Sequence, residues 1–189
     1  LRRVLPSTIL LYGDWWGTQI NLPINKLVIG NPHREAALHQ WPSQQRDGGT
    51  ILVLGDGIDT AFYEEFCAGV AMALPEQQVV FRPHPLEREQ ACLRHQRQLP
   101  NYEIDVSPDI YVSFARAAWV AAEVSTGLFE VAGTRAKPVV IDSKKSRFNF
   151  PDDPFPRVEG PEAMAALVRD GHSRFREVKH ELWAVGWRD

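Results

Sequence analysis

Cysteine is scarce in this chain, with only Cys67 and Cys92 among 189 residues and no CxxC pair or Cys/His cluster at metal-ligand spacing. That scarcity argues against a disulfide framework and a zinc site, and it fits a reducing cytoplasm. Long apolar runs are missing as well. Stretches such as Ile51 to Leu54 and Trp119 to Ala122 fall far short of the roughly 20 residues that span a bilayer. Charge of one sign is also lacking: 21 Lys and Arg stand against 24 Asp and Glu, a formal net charge of -3. Nucleic acid or an anionic membrane would favour a basic surface, so neither is expected as the main partner. The opening Leu1-Arg2-Arg3-Val4-Leu5-Pro6 lacks an initial Met and the charged-then-apolar pattern of a secretory signal. The chain is therefore read as starting mid-protein, with a preceding domain able to hold part of an active site.

What is present is a 44% apolar sequence, enough for a sizeable core. From Thr50 onward, short apolar runs alternate with amphipathic segments, the pattern of repeated βα units and a parallel sheet with helices on both faces. The fold class is α/β, Rossmann-like. Strands are expected at Thr50 to Leu54, Gln78 to Arg82, Glu103 to Val106, Ala118 to Val124 and Pro138 to Asp142. Helices are expected after Gly55-Asp56-Gly57, from Leu86 to Gln98, after Ser107-Pro108-Asp109 with Ser107 as cap, after Ser125-Thr126-Gly127, and from Pro161 to Asp170. Residues 148–158 read as loop, and Ser173 to Trp187 as a further amphipathic helix. Thr8 to Tyr12 and Lys26 to Ile29 read as strands closed by Gly30-Asn31-Pro32, and 41–49 as a linker. The expected organisation is thus the tail of an amino-terminal acceptor domain over 1–40, a linker over 41–49, a nucleotide-donor-binding domain over 50–172, and a carboxy-terminal helix over 173–189 that packs back on the first domain.

In open parallel sheets ligands sit outside the carboxyl ends of the strands, so the loops there carry the candidates. Ser125, Thr126 and Gly127 lie where a strand becomes a helix, where hydroxyls and free N–H groups suit a phosphate; a simple helix cap needs the same residues. His84 is held between Pro83 and Pro85, which leaves its imidazole little freedom to lose, and Arg82 precedes it. A turn histidine bonded to a neighbouring carbonyl is the plainer alternative. Asp56, between Gly55 and Gly57, can be a base, a partner to an acceptor hydroxyl, or a turn aspartate that bonds its own backbone. Glu130 can reach the hydroxyls of a nucleotide sugar or simply face solvent. Lys144, Lys145 and Arg147 form the densest positive charge and read as a solvated face.

Val79-Val-Phe-Arg-Pro-His-Pro85 and Glu123-Val-Ser-Thr-Gly-Leu-Phe-Glu-Val-Ala-Gly-Thr-Arg-Ala-Lys-Pro-Val-Val-Ile-Asp142 together resemble the carboxy-terminal, donor-binding domain of GT-B-fold glycosyltransferases. The resemblance is to their HP-motif groups: sialyltransferases, Kdo transferases and CDP-glycerol glycerophosphotransferases. It implies that His84 contacts the donor phosphate and assists its departure, that Ser125 and Thr126 bind phosphate, and that no metal or other cofactor is needed. The acidic D/E-D/E-G motif that supplies the base in such sialyltransferases is matched in part by Gly55-Asp56-Gly57, where Gly55 replaces the first acid. The resemblance further implies a CMP- or CDP-linked nucleotide-sugar donor, a glycan or polyol-phosphate acceptor of surface-polysaccharide (capsule) synthesis, and a cytoplasmic enzyme peripheral at the inner membrane. A sugar-nucleotide 2-epimerase and a non-catalytic binding or scaffold domain share the fold and stand as alternatives.

Overall fold

The computed structural model describes residues 5–41, 49–89, 99–171 and 182–184. Two compact units divide the chain, one of Leu1–Gln40 with Glu177–Asp189, the other of Trp41–Arg176. The first holds β1 (Thr8–Leu11), α1 (Asp14–Thr18), β2 (Asn25–Val28) and α2 (Pro32–Gln40), with the two strands parallel. Neither helix was expected from the sequence. The Gly30-Asn31-Pro32 turn that closes β2 also starts α2, because proline is favoured at a first helical position, and Asn31 Oδ1 caps the helix by accepting from Arg34 N at 3.1 Å. Within the same unit the Trp16 indole donates to the Leu182 carbonyl at 2.9 Å, and the Arg34 guanidinium lies 4.7 Å from the Trp183 ring centre.

Among the described residues, the second unit holds a six-stranded, all-parallel sheet of β3 (Thr50–Leu54), β4 (Val79–Arg82), β5 (Tyr102–Ile104), β6 (Ala117–Ala122), β7 (Lys137–Ile141) and β8 (Arg157–Val158). The spatial order is β5-β4-β3-β6-β7-β8. Helices described in full within it are α3 (Thr60–Ala73), α4 (Ile110–Arg116), α5 (Gly127–Val131), α6 (Lys144–Asn149) and α7 (Pro161–Asp170). Alternate strand residues serve opposite faces. Ile51, Val53, Val79, Phe81, Trp119 and Ala121 meet Tyr63, Phe66, Cys67 and Val70 of α3 and Met164 of α7 in one buried cluster. Leu52, Leu54, Val120 and Ala122 serve the other face, where α4 packs on β3 and β6, and α5 on β6 and β7. The expected α/β class is therefore the observed one.

Several local expectations need correction. The cap of α4 is Asp109, which accepts from Tyr111 N at 2.9 Å; Ser107 instead donates its N–H to Asp105 Oδ1 at 2.8 Å, closing the turn after β5. Residues 148–158 are not all loop. α6 extends to Asn149 behind a Ser143/Ser146 capping box, and β8 pairs with β7. The helix expected from Leu86 to Gln98 is described only at residues 88–89, and 90–98 lie outside the described residues. The same holds for most of the helix expected over 173–187, for 42–48 of the linker, and for Cys92. No helix among the described residues is long and apolar enough to cross a membrane.

Candidate functional site

β3 leads through α3 to β4 on one side, whereas β6 leads through α5 to β7 on the other, so the chain changes direction between β3 and β6. A crevice opens at such a point, outside the carboxyl ends of the strands. His84 follows β4 and Ser125 follows β6, the two neighbours of β3. With strands spaced about 4.8 Å, these two ends stand about 10 Å apart across β3.

At the β4 end, His84 is half-buried and fixed from three directions. Its backbone N–H donates to Glu87 Oε1 at 2.9 Å, and its Nδ1 accepts from the Leu86 N–H at 3.3 Å. Its ring rests on Gly57, where an added Cβ would fall 2.9 Å from Nδ1. Gly57 also has φ +82°, so the turn and the ring both require glycine there. Because Nδ1 accepts a hydrogen bond, the ring proton belongs on Nε2. Glu87, only 4% exposed, receives further donors from Gly57 N at 3.2 Å and from the Thr60 hydroxyl. An added Cβ on Gly55 would collide with Glu87 Oε1 and come within 3.2 Å of His84 N.

At the β3 end, Asp56 turns its own backbone, as one of the three sequence readings held: Oδ1 accepts from Ile58 N at 2.9 Å. Its other oxygen meets the Lys145 ammonium, which also bonds Glu123 Oε2 at 3.1 Å. Ser143 Oγ, already part of the α6 cap, donates to Glu123 Oε1 at 2.6 Å. Burial pushes the Asp56 carboxyl upward, but the Lys145 bond and the Ile58 amide outweigh it, and the net shift is downward. Burial likewise opposes the charge of Lys145, and its two carboxylate partners overcome it and raise its proton affinity. Buried Tyr63 keeps its proton because of its burial and the nearby charges of Asp56 and Glu123. The basic run of Lys144, Lys145 and Arg147 is thus not a uniformly solvated face: Lys145 bridges two acids, and Arg147 pairs with Asp142.

At the β6 end, Ser125 Oγ accepts from Gly127 N at 3.2 Å. Thr126 takes the cap position of α5 without a side-chain cap bond, and it is exposed. Gly127 is buried against Leu54. Glu130 accepts from the Tyr111 hydroxyl, which ties it to α4. Arg82 is buried, its Nη1 bonding Asp105 Oδ2 at 2.7 Å and Ser113 Oγ at 3.1 Å. The structure therefore gathers His84, Gly55, Asp56, Gly57, Ser125, Thr126 and Gly127 around the end of β3, while Arg82 and Glu130 are each engaged with α4. Glu87 and Glu123 escaped the sequence reading. Glu87 takes donors from its own loop and from the β3-end turn, Glu123 from Ser143 and Lys145, and their only sequence signal is position, three residues after His84 and one after β6.

A cavity of about 230 Å³ lies elsewhere, lined by Leu52, Val80, Asp105, Ser107, Ser113 and Arg116 on the α4 face. None of the residues gathered around the end of β3 lines it.

No family model and no curated protein sequence matches the chain. Solved structures do. The wall teichoic acid polymerase TagF soaked with CDPG matches with a TM-score of 0.57 and 14% identity over 93% of this chain and 48% of that one. Another TagF structure matches with a TM-score of 0.57 and 13% identity over 93% and 50%. The glycotransferase of kitacinnamycin matches with a TM-score of 0.52 and 20% identity over 87% and 46%. The chain spans about half the length of each. What it shares with them is the fold, a parallel α/β sheet flanked by helices as in GT-B glycosyltransferases.

Proposed function

We propose that this chain is the donor-binding part of a metal-independent transferase that moves a group from a nucleotide-activated donor, CMP- or CDP-linked, to a surface-polysaccharide acceptor. The observation that carries this reading is the seating of His84. With Nδ1 occupied by the Leu86 N–H, the Nε2–H is the donor left for a ligand at the strand-end crevice. A phosphate oxygen is the acceptor that such a donor suits, and Thr126 adds an exposed hydroxyl two strands away. The fold likeness to a polymerase soaked with CDPG supports a CDP-linked donor.

The chemistry is displacement at the activated carbon by an acceptor hydroxyl, with charge growing on the departing phosphate. Donors already aimed at that charge stabilise it without reorganising, and this is the role of His84 Nε2–H with the Ser125–Gly127 turn. His84 acts here through the Nε2–H that this seating presents, as a hydrogen-bond donor to the departing phosphate oxygen. Asp56, held ionised by Lys145, orients the acceptor hydroxyl, whose proton passes to an oxygen of the departing phosphate as the new bond forms. In this reading residues 1–40 belong to the acceptor domain, and the enzyme works in the cytoplasm at the inner face of the membrane.

Calorimetric titration of the chain with CMP, CDP, UDP and GDP tests the proposal. It requires a cytidine nucleotide to bind more tightly than GDP, and binding by none of the four would overturn it.

A further inference from the structure

Three hydrogen bonds converge on Glu87, and their donors come from both loops that carry the expected catalytic groups. His84 N reaches Oε1 at 2.9 Å and Gly57 N at 3.2 Å, while the Thr60 hydroxyl reaches Oε2. The Gly57 turn carries Asp56 on one side and the seat of the His84 ring on the other, and Thr60 is the first residue of α3. The space that Glu87 occupies exists because Gly55 has no side chain. A buried acid that satisfies three donors fixes their relative positions, since losing any one bond leaves a polar group unpaired in the interior. The backbone bond from Gly55 N to the Arg82 carbonyl, 2.9 Å, joins the same two strand ends, and Glu87 adds the side-chain link between the turns beyond them.

We infer that Glu87 is the positioning residue of this site, clamping the β3-end and β4-end loops so that the His84 ring stays on Gly57 and presents Nε2–H to a donor phosphate oxygen. The inference rests on the reading of His84 given above. Glu87 itself, at 4% exposure, does not touch the ligand.

The ring itself reports the clamp. In ¹⁵N spectra of the imidazole, one fixed tautomer gives widely separated nitrogen signals, and an exchanging ring gives signals drawn together. Wild type shows the wide separation, and E87Q, which keeps an acceptor for the two amides, retains it. E87A and E87D draw the signals together, the second because it withdraws the acid by one methylene while keeping its charge. L74A, a core truncation at the far end of α3, lowers stability without changing the pattern. CDP affinity falls about tenfold in E87A and E87D, the low end of what residues that orient metal ligands contribute at metal sites, and is unchanged in L74A. Wild-type separation in E87A overturns the inference, and if E87A does not fold, wild-type separation in E87D does so. Failure of the wild-type chain to bind CDP sinks the transferase reading, and the spectra still decide the role of Glu87.

Discussion

Arg82 and Asp105 form a buried ion pair at the ends of β4 and β5, 2.7 Å apart with both side chains less than 10% exposed. Ser113 of α4 bonds both partners. Removing one partner of such a pair leaves an uncompensated charge and costs about 3–5 kcal/mol. Arg82→Ala is therefore expected to lower stability by that amount in chemical denaturation. An Arg82→Ala protein as stable as wild type contradicts the pairing.

The same pair fixes an acid response. Burial pushes Asp105 upward, but Ser113, Ser107 and Arg82 outweigh it and hold the carboxyl below its ordinary value of 3.8. A lowered folded-state value contributes stability above the unfolded value and loses it as pH falls through the folded value. Wild type thus loses this contribution below about pH 4, and Asp105→Asn shows a shallower loss over that range. Denaturation midpoints from pH 7 to pH 3 measure the difference.

Lys145 stands between Asp56 and Glu123, whose side chains are 5% and 10% exposed. Lys145→Met leaves two acids facing each other without a cation, at a cost of about 1–3 kcal/mol, discounted because Lys145 is 32% exposed. Lys145 also helps hold Asp56 below its ordinary value of 3.8, so wild type carries a contribution that is lost as pH falls through the folded value, and the variant, lacking that cation, shows a shallower acid loss. A variant with the wild-type acid profile refutes the bridge.

Gly57→Ala forces a side chain into a left-handed backbone and against the His84 ring. The backbone alone costs about 1–2 kcal/mol. Both a lower denaturation midpoint and displaced His84 ring signals are expected, and unchanged ring signals would show that the histidine does not depend on this turn.

How much of this was legible beforehand differs by element. Thr50–Leu54 and Pro161–Asp170 were readable to the residue, because an unbroken apolar run and a Gly160-Pro161 start with a Gly171 stop are local signals. α6 was hidden because its cap is a reciprocal Ser143/Ser146 pair inside a stretch dominated by Pro, Asp and aromatics. The strand-end loops of the site were legible, since a parallel sheet dictates where they lie. The inward engagement of Arg82 and Glu130, and the hubs at Glu87 and Glu123, were not. Those depend on partners 19 to 31 residues away, which no local pattern specifies.

The central claim is that the β3 end is an anion site served by His84 and Thr126, and the most direct measurement separates binding from stability at these two positions. Ser125→Ala removes the acceptor of Gly127 N and is expected to cost about 0.5–1.5 kcal/mol of stability. Thr126→Ala touches no cap bond, so stability stays within about 0.5 kcal/mol. Calorimetry of CDP binding to wild type, His84→Ala and Thr126→Ala should show affinity about tenfold weaker in each variant, as the loss of a hydrogen bond to a charged group implies. Wild-type affinity for CDP in both variants would contradict the account.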